Sequence, residues 1–181
     1  DYGTIGIKTE SENESLQVIE VTPYRTESGY SDARRPDEVT FGVSLEEDLK
    51  RRDFTVNALA YRIATEEMVD LYGGAEDLAA KRLKAVGNAN ERFAEDALRM
   101  MRAVRLAAEL DFVIETETMV AIQQNSAQLS RISIERITSE FVRTVQSPTP
   151  MQGIIFMEKL GLLEHFLPEL REGIGIEQGG A

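Results

Sequence analysis

An α+β fold follows from two observations on this 181-residue chain. Short apolar runs near the N-terminus alternate at the strand period, whereas the segments beyond about residue 90 repeat their apolar residues at helical spacing. With 42% hydrophobic residues the chain can bury a core as one or two small domains.

Taken in order, residues 3–8 (GTIGIK) and 16–21 (LQVIEV) read as two strands joined by a polar hairpin loop, TESENES. The second strand sets Gln17, Ile19 and Val21 on one face and Val18, Glu20 and Thr22 on the other. Glu20 is then either an edge-strand charge facing water or a carboxylate aimed into a site. Residues 22–40, with Pro23, Gly29 and Pro36, read as a surface loop. Ser44 and Glu47 have capping-box spacing and open a short helix bearing Asp48, Arg51 and Arg52. Residues 56–63 (VNALAYRI) continue as helix or strand. Gly73-Gly74 marks a turn, and a short basic helix is expected over 77–83.

The helical half centres on residues 95–110, EDALRMMRAVRLAAEL. Asp96, Arg99, Arg102 and Arg105 recur every three residues, placing one carboxylate and three guanidinium groups along one side of a helix. Leu98, Met101 and Val104 supply the docking face. Further helices are expected at 117–125, at 134–145 with Ser133 as cap, from Thr149-Pro150 to about 160, and over 162–170.

Charge narrows the function. The net charge of −12 argues against general nucleic-acid binding, yet 15 of the 20 cations are arginine, whose planar fork suits phosphates and base edges. They cluster at Arg34-Arg35, Arg51-Arg52 and the Arg99/Arg102/Arg105 ridge, as for a localised phosphate-bearing ligand. Cysteine is absent and His165 is the single histidine, which excludes disulfides, thiolate metal sites and multi-histidine sites within the chain. No apolar run reaches membrane-spanning length and no signal peptide is visible, so a cytoplasmic setting is expected, with no membrane partner. The first residue is not Met, so a fragment or processed product is expected.

Three segments carry a more specific signal: IEVTPYR (19–25), YSDARRP (30–36) and LKRRDFTVNALA (49–60). With RFAEDALRMMRAVR (92–105) and SIERI (133–137) they resemble the class II tRNA nucleotidyltransferases, the CCA-adding enzymes, and their bacterial poly(A) polymerase relatives. The resemblance implies part of a nucleotidyltransferase head over residues 1–64, a helical nucleotide-selecting neck over 65–147 and the start of a helical body over 148–181. It implies addition of CCA, or of its terminal A, to the tRNA 3′ end from CTP and ATP with Mg²⁺. A poly(A) polymerase and a non-catalytic RNA- or nucleotide-binding helical module are the alternatives. The family's Gly-Gly phosphate loop and Asp-x-Asp metal pair have no counterpart here, since no Asp-x-Asp occurs in the chain. An internal piece of the enzyme, inactive by itself, is therefore the expectation.

Residue roles follow from the same resemblance. Glu20 matches the third catalytic carboxylate and a possible metal ligand. Arg52 would bind nucleotide phosphate, with Asp48, Asp53 and Asn57 orienting such groups. Arg102 and Arg105 would support the base reader and contact the triphosphate. Arg34 and Arg35 lie in the loop that helps distinguish family members. For Asp96 and Arg99 the chemistry can be argued directly. Cytosine and adenine present an amino donor beside a ring-nitrogen acceptor, so a carboxylate beside a guanidinium complements both. Uracil and guanine present the opposite pattern and clash. Further along the neck, Arg136 and Glu140, one helical turn apart, are spaced for an ion pair.

Overall fold

The computed structural model describes residues 3–28 and 38–175. Strands β1 (Ile5–Lys8) and β2 (Val18–Val21) pair antiparallel with Gly6 opposite Glu20. The residues between them include a 3-10 turn, Glu14–Leu16, whose Asn13 cap accepts from the Ser15 N–H. Strands β3 (Arg25–Ser28) and β4 (Glu38–Phe41) form a second antiparallel pair, so the expected loop of residues 22–40 carries a strand at either end. Tyr30, Asp32, Arg34 and Arg35 lie outside the described residues.

Helix α1 (Leu45–Lys50) starts with the capping box read from the sequence: Ser44 accepts from the Glu47 N–H, and Glu47 accepts from the Ser44 N–H. The ambiguous run after it resolves into a 3-10 turn, Thr55–Asn57, and strand β5 (Leu59–Arg62). Its antiparallel partner β6 (Glu67–Asp70) has no clear apolar alternation and was not expected. The basic helix expected over 77–83 is displaced. Helix α2 occupies Gly74–Ala79, Lys81 turns left-handed at φ 51°, and Arg82–Leu83 form strand β7. Asp70 starts α2, accepting from the Gly74 and Ala75 N–H groups, and these backbone bonds hold its carboxyl below the ordinary range.

The C-terminal half contains α3 (Ala89–Glu95), α4 (Leu98–Leu110), α5 (Thr116–Asn125), α6 (Ile134–Val145) and α7 (Pro150–Lys159). It is not wholly helical, because β7 pairs in parallel with β8 (Val113–Ile114). Residues 162–170 fall in two 3-10 turns, Leu163–His165 and Pro168–Gly173, rather than one helix. Ser133 stands at the α6 N-cap without a side-chain bond, and the Thr149 hydroxyl donates to the Ala108 carbonyl instead of capping α7.

Most consequential is the break before α4. The periodic run from residue 95 predicts one helix, but Asp96 is extended (φ −146°, ψ 105°) and separates α3 from α4. Its Oδ1 accepts from the Leu98 N–H at 3.0 Å. A short carboxylate competes for local backbone donors and so terminates one helix while starting the next.

The core lies around α4, whose Met100, Met101, Ala103, Val104 and Ala107 are all fully buried. Helices α6 and α7 pack on it, as does the β7–β8 ladder. Phe54, also fully buried, reaches from the strand-rich half into the same cluster as Leu83, Phe93 and Met157. Each such large apolar side chain contributes roughly 1.5–3 kcal/mol when removed from water. The two halves therefore share one core at the place where their arginines meet.

Candidate nucleotide site

A cavity of about 280 Å³ lies between the end of α1 and the start of α4, lined by Arg51, Arg52, Asp53, Asp96, Arg99, Arg102 and Arg136. Five guanidinium groups and two carboxylates converge from three segments of sequence. The capping box places Arg51 and Arg52 just beyond α1. The Asp96 break brings its carboxylate over the first turn of α4, and Ser133 starts α6 so that Arg136 faces it.

Each arginine arrives with a partner. Arg51 donates to Asp48 Oδ1 at 2.7 Å and to the Arg25 carbonyl at 2.9 Å. Arg52 donates to Asp48 Oδ2 at 3.3 Å and to the Asn57 carbonyl at 2.9 Å. Burial pushes the Asp48 carboxyl up, but the hydrogen bond and charge of Arg51, with Arg52 behind it, outweigh burial and hold it below the ordinary range. Asp53 receives two bonds from Arg102, at 2.6 and 3.0 Å, and others from the Asn57 amide and the Phe54 N–H. Burial again acts to raise Asp53, and the Arg102 charge and hydrogen bonds reverse it; Arg102 is raised in turn by Asp53 despite its own desolvation. Asp48 and Asn57 thus hold Arg51 and Arg52 from outside the cavity lining, whereas Asp53 lines the cavity beside Arg102.

Asp96 and Arg99 both line the cavity, but not as the helical i,i+3 pair expected. The Asp96 Oδ2 accepts from Arg136 at 2.8 Å. Arg99 donates to Glu95 at 2.6 Å and to the Arg92 and Arg51 carbonyls at 3.1 and 3.2 Å. These bonds leave acceptor capacity on the carboxylate and further N–H groups on the guanidinium. Arg136 does not pair with Glu140, and its Nη1 is buried without a partner among the described residues.

Arg105 stands apart from the other arginines of the ridge. It does not line the cavity; its side chain is only 4% exposed and donates to Glu140 at 2.5 Å and to Glu109. A three-residue period advances 300° rather than 360° per step, so the ridge winds about α4 and its last member turns into the α4–α6 contact. Sequence reasoning passed over Glu95 and Arg92. The signal was available in Glu95 standing four residues before Arg99 and three after Arg92.

Glu20 is exposed on the β1–β2 pair. Among the described residues no group of three or more His, Asp or Glu side chains is placed to hold a metal ion. One carboxylate is too few for a hard divalent cation, so these residues do not form a magnesium site and no chemical step is assigned to one. Among the described residues no helix is long and apolar enough to cross a membrane.

A strand-rich N-terminal half whose capped helix sets Arg51 and Arg52 against the arginines of a buried helix at one cavity is the arrangement of a nucleotidyltransferase head and the helices that follow it. The sequence matches the family model of the poly A polymerase head domain over residues 1–84 and that described as "Probable RNA and SrmB-binding site of polymerase A" over residues 111–174. It is 53% identical over 146 residues to the CCA-adding enzyme of Limosilactobacillus reuteri, covering 81% of this chain and 36% of the relative. Against the CCA-adding enzyme of Enterococcus faecalis it is 49% identical over 178 residues, covering 97% of this chain and 42% of that one. The crystal structure of the Bacillus stearothermophilus CCA-adding enzyme in complex with CTP superposes with a TM-score of 0.79 at 38% identity, covering 91% of this chain and 38% of that chain. The chain belongs to the poly(A) polymerase and CCA-adding enzyme family of nucleotidyltransferases. It spans about two fifths of the length of the curated relatives it matches.

Proposed function

We propose that the intact protein is a cytoplasmic, template-independent tRNA nucleotidyltransferase that adds CCA, or its terminal A, to tRNA 3′ ends from CTP and ATP. Residues 1–64 belong to its head, 65–147 form its neck and 148–181 begin its body. The observation that carries this reading is the cavity in which head-derived Arg51 and Arg52 face neck-derived Asp96, Arg99 and Arg102. Such a site can hold a triphosphate by its arginines while a carboxylate and a guanidinium read the base edge.

In this reading Asp96 accepts from the exocyclic amino group of cytosine or adenine, and Arg99 donates to the adjacent ring nitrogen. Presenting uracil or guanine instead sets a carboxylate against a carbonyl and leaves both desolvated. Each such mismatch costs roughly 1–3 kcal/mol. Arg102 and Arg52 are the phosphate-facing groups, and Arg105 serves α4–α6 packing. Mg²⁺ is the expected metal of the intact protein, with Glu20 as one of its carboxylates.

The test is addition by the intact protein to tRNA ending at the discriminator base, with CTP alone, ATP alone and both together. The reading expects CC from CTP, then a single A once both nucleotides are present. Long A tails from ATP alone, on any RNA 3′ end, would make the protein a poly(A) polymerase, the alternative that the head-domain match also accommodates. Nucleotide binding without addition would leave a non-catalytic module.

A further inference from the structure

We infer that Arg92 is a positioning residue for base selection, tying the base-reading Arg99 to the end of the phosphate-facing helix α1. The inference rests on the reading of Asp96 and Arg99 as base readers.

Arg92 belongs to α3 and does not line the nucleotide cavity. Its side chain is nine-tenths buried, and it forks in two directions. Nη1 donates to the Lys50 carbonyl at 2.8 Å, and Nη2 donates to Glu95 Oε1 at 2.5 Å. The other oxygen of Glu95 accepts from Arg99 Nη1 at 2.6 Å, and the Arg92 carbonyl accepts from the same Nη1 at 3.1 Å. Arg99 Nη2 then donates to the Arg51 carbonyl at 3.2 Å. The result is a closed circuit: the Lys50 carbonyl at the end of α1, Arg92, Glu95, Arg99, and back to the next carbonyl, that of Arg51. Arg51 and Arg52, which follow those carbonyls directly in the chain, line the cavity on the other side.

Two features separate this circuit from ordinary packing. Arg92 Nε is buried without a hydrogen-bond partner among the described residues. Burying a cation with one N–H unmet is costly, and an apolar side chain of equal volume would fill the space better. What sets Arg92 apart is therefore what the fork connects. The geometry also needs a fork. A carbonyl and a carboxylate are engaged from separate nitrogens, which a planar guanidinium supplies and a single ammonium cannot. Through this circuit the guanidinium that reads the base keeps a set position relative to the arginines that hold the phosphates.

The experiment compares Arg92→Lys, Glu95→Gln and Asp96→Ala with wild type in the intact protein, measuring kcat/KM for CTP, ATP, UTP and GTP together with thermal unfolding. Arg92→Lys keeps the charge and loses the fork; Glu95→Gln keeps the shape of a partly buried side chain and serves should Arg92→Lys fold poorly. The expected result is that both lower discrimination of CTP over UTP by about tenfold, as KM for CTP rises less than the selectivity falls. If Asp96→Ala relaxes selectivity while Arg92→Lys and Glu95→Gln slow all four nucleotides equally, the positioning role is overturned and the base-reading assignment stands. If none of the three relaxes selectivity, both fall.

Discussion

Replacing Arg105 by alanine separates a structural arginine from a substrate-binding one. Its guanidinium is 4% exposed and clamped between Glu140, itself 10% exposed at the side chain, and Glu109 at the edge. Removing it leaves the buried Glu140 carboxylate of α6 without its hydrogen-bonded cation, the situation in which breaking a buried pair costs about 3–5 kcal/mol. For a chain of this size each kcal/mol lowers the midpoint by roughly 2–4 °C, so a fall of about 10 °C is expected. Arg105→Met combined with Glu140→Gln removes both charges while keeping volume, and should recover most of that loss. Thermal unfolding followed by circular dichroism, arranged as a double-mutant cycle, reads the coupling directly. Nucleotide KM measured on the same variants in the intact protein gives the second axis. The structural role predicts a coupling of about 2 kcal/mol or more, with KM for CTP nearly unchanged in the double variant. If Arg105→Ala unfolds like wild type but raises KM for every nucleotide, Arg105 is a phosphate ligand after all.

Asp96→Ala should relax the preference for C and A over U and G by about tenfold or more, measured as relative kcat/KM; equal loss for all four nucleotides would remove Asp96 from base reading. Gly74→Ala places a Cβ 2.2 Å from the Thr55 carbonyl oxygen, where only backbone can yield. A loss of about 3 kcal/mol or more in a urea titration is expected, and a neutral result would show that the α2–Thr55 contact is looser than it stands. Asp53 and Asp48 have folded-state values below the ordinary carboxylate range. Their contribution is therefore fully present above about pH 4 and is lost as pH falls through the lower folded values. Asp53→Asn should cost stability at neutral pH and flatten the acid limb of stability against pH; an unchanged acid limb would show that the Arg102 pair does not stabilise the fold.

Chain order and residue type carried a large part of this structure. Ser44 and Glu47 announced α1 because a capping box needs only four consecutive residues. The apolar positions of α4 were legible for the same reason: burial imposes a local period. Arg52, Asp96, Arg99 and Arg102 were named from sequence, and all four line one cavity. The β5–β6 pair was half hidden, since the EMVD of β6 gains its strand from a partner rather than from its own alternation.

What tertiary structure alone decided is which charge faces which. A helical repeat can place Asp96, Arg99, Arg102 and Arg105 in a row, but it cannot say that Asp96 leaves the helix to meet Arg136. Nor can it say that Arg102 finds Asp53 forty-nine positions earlier, or that Arg105 is taken into the α4–α6 contact. Ion pairs between distant segments are made by side chains brought together by a shared core, and their separation along the chain carries no information about them. The sequence by itself determined the family and the charged residues available to line a cavity. Packing around α4 determined which of them remain on the cavity wall, and which were taken inside to hold it.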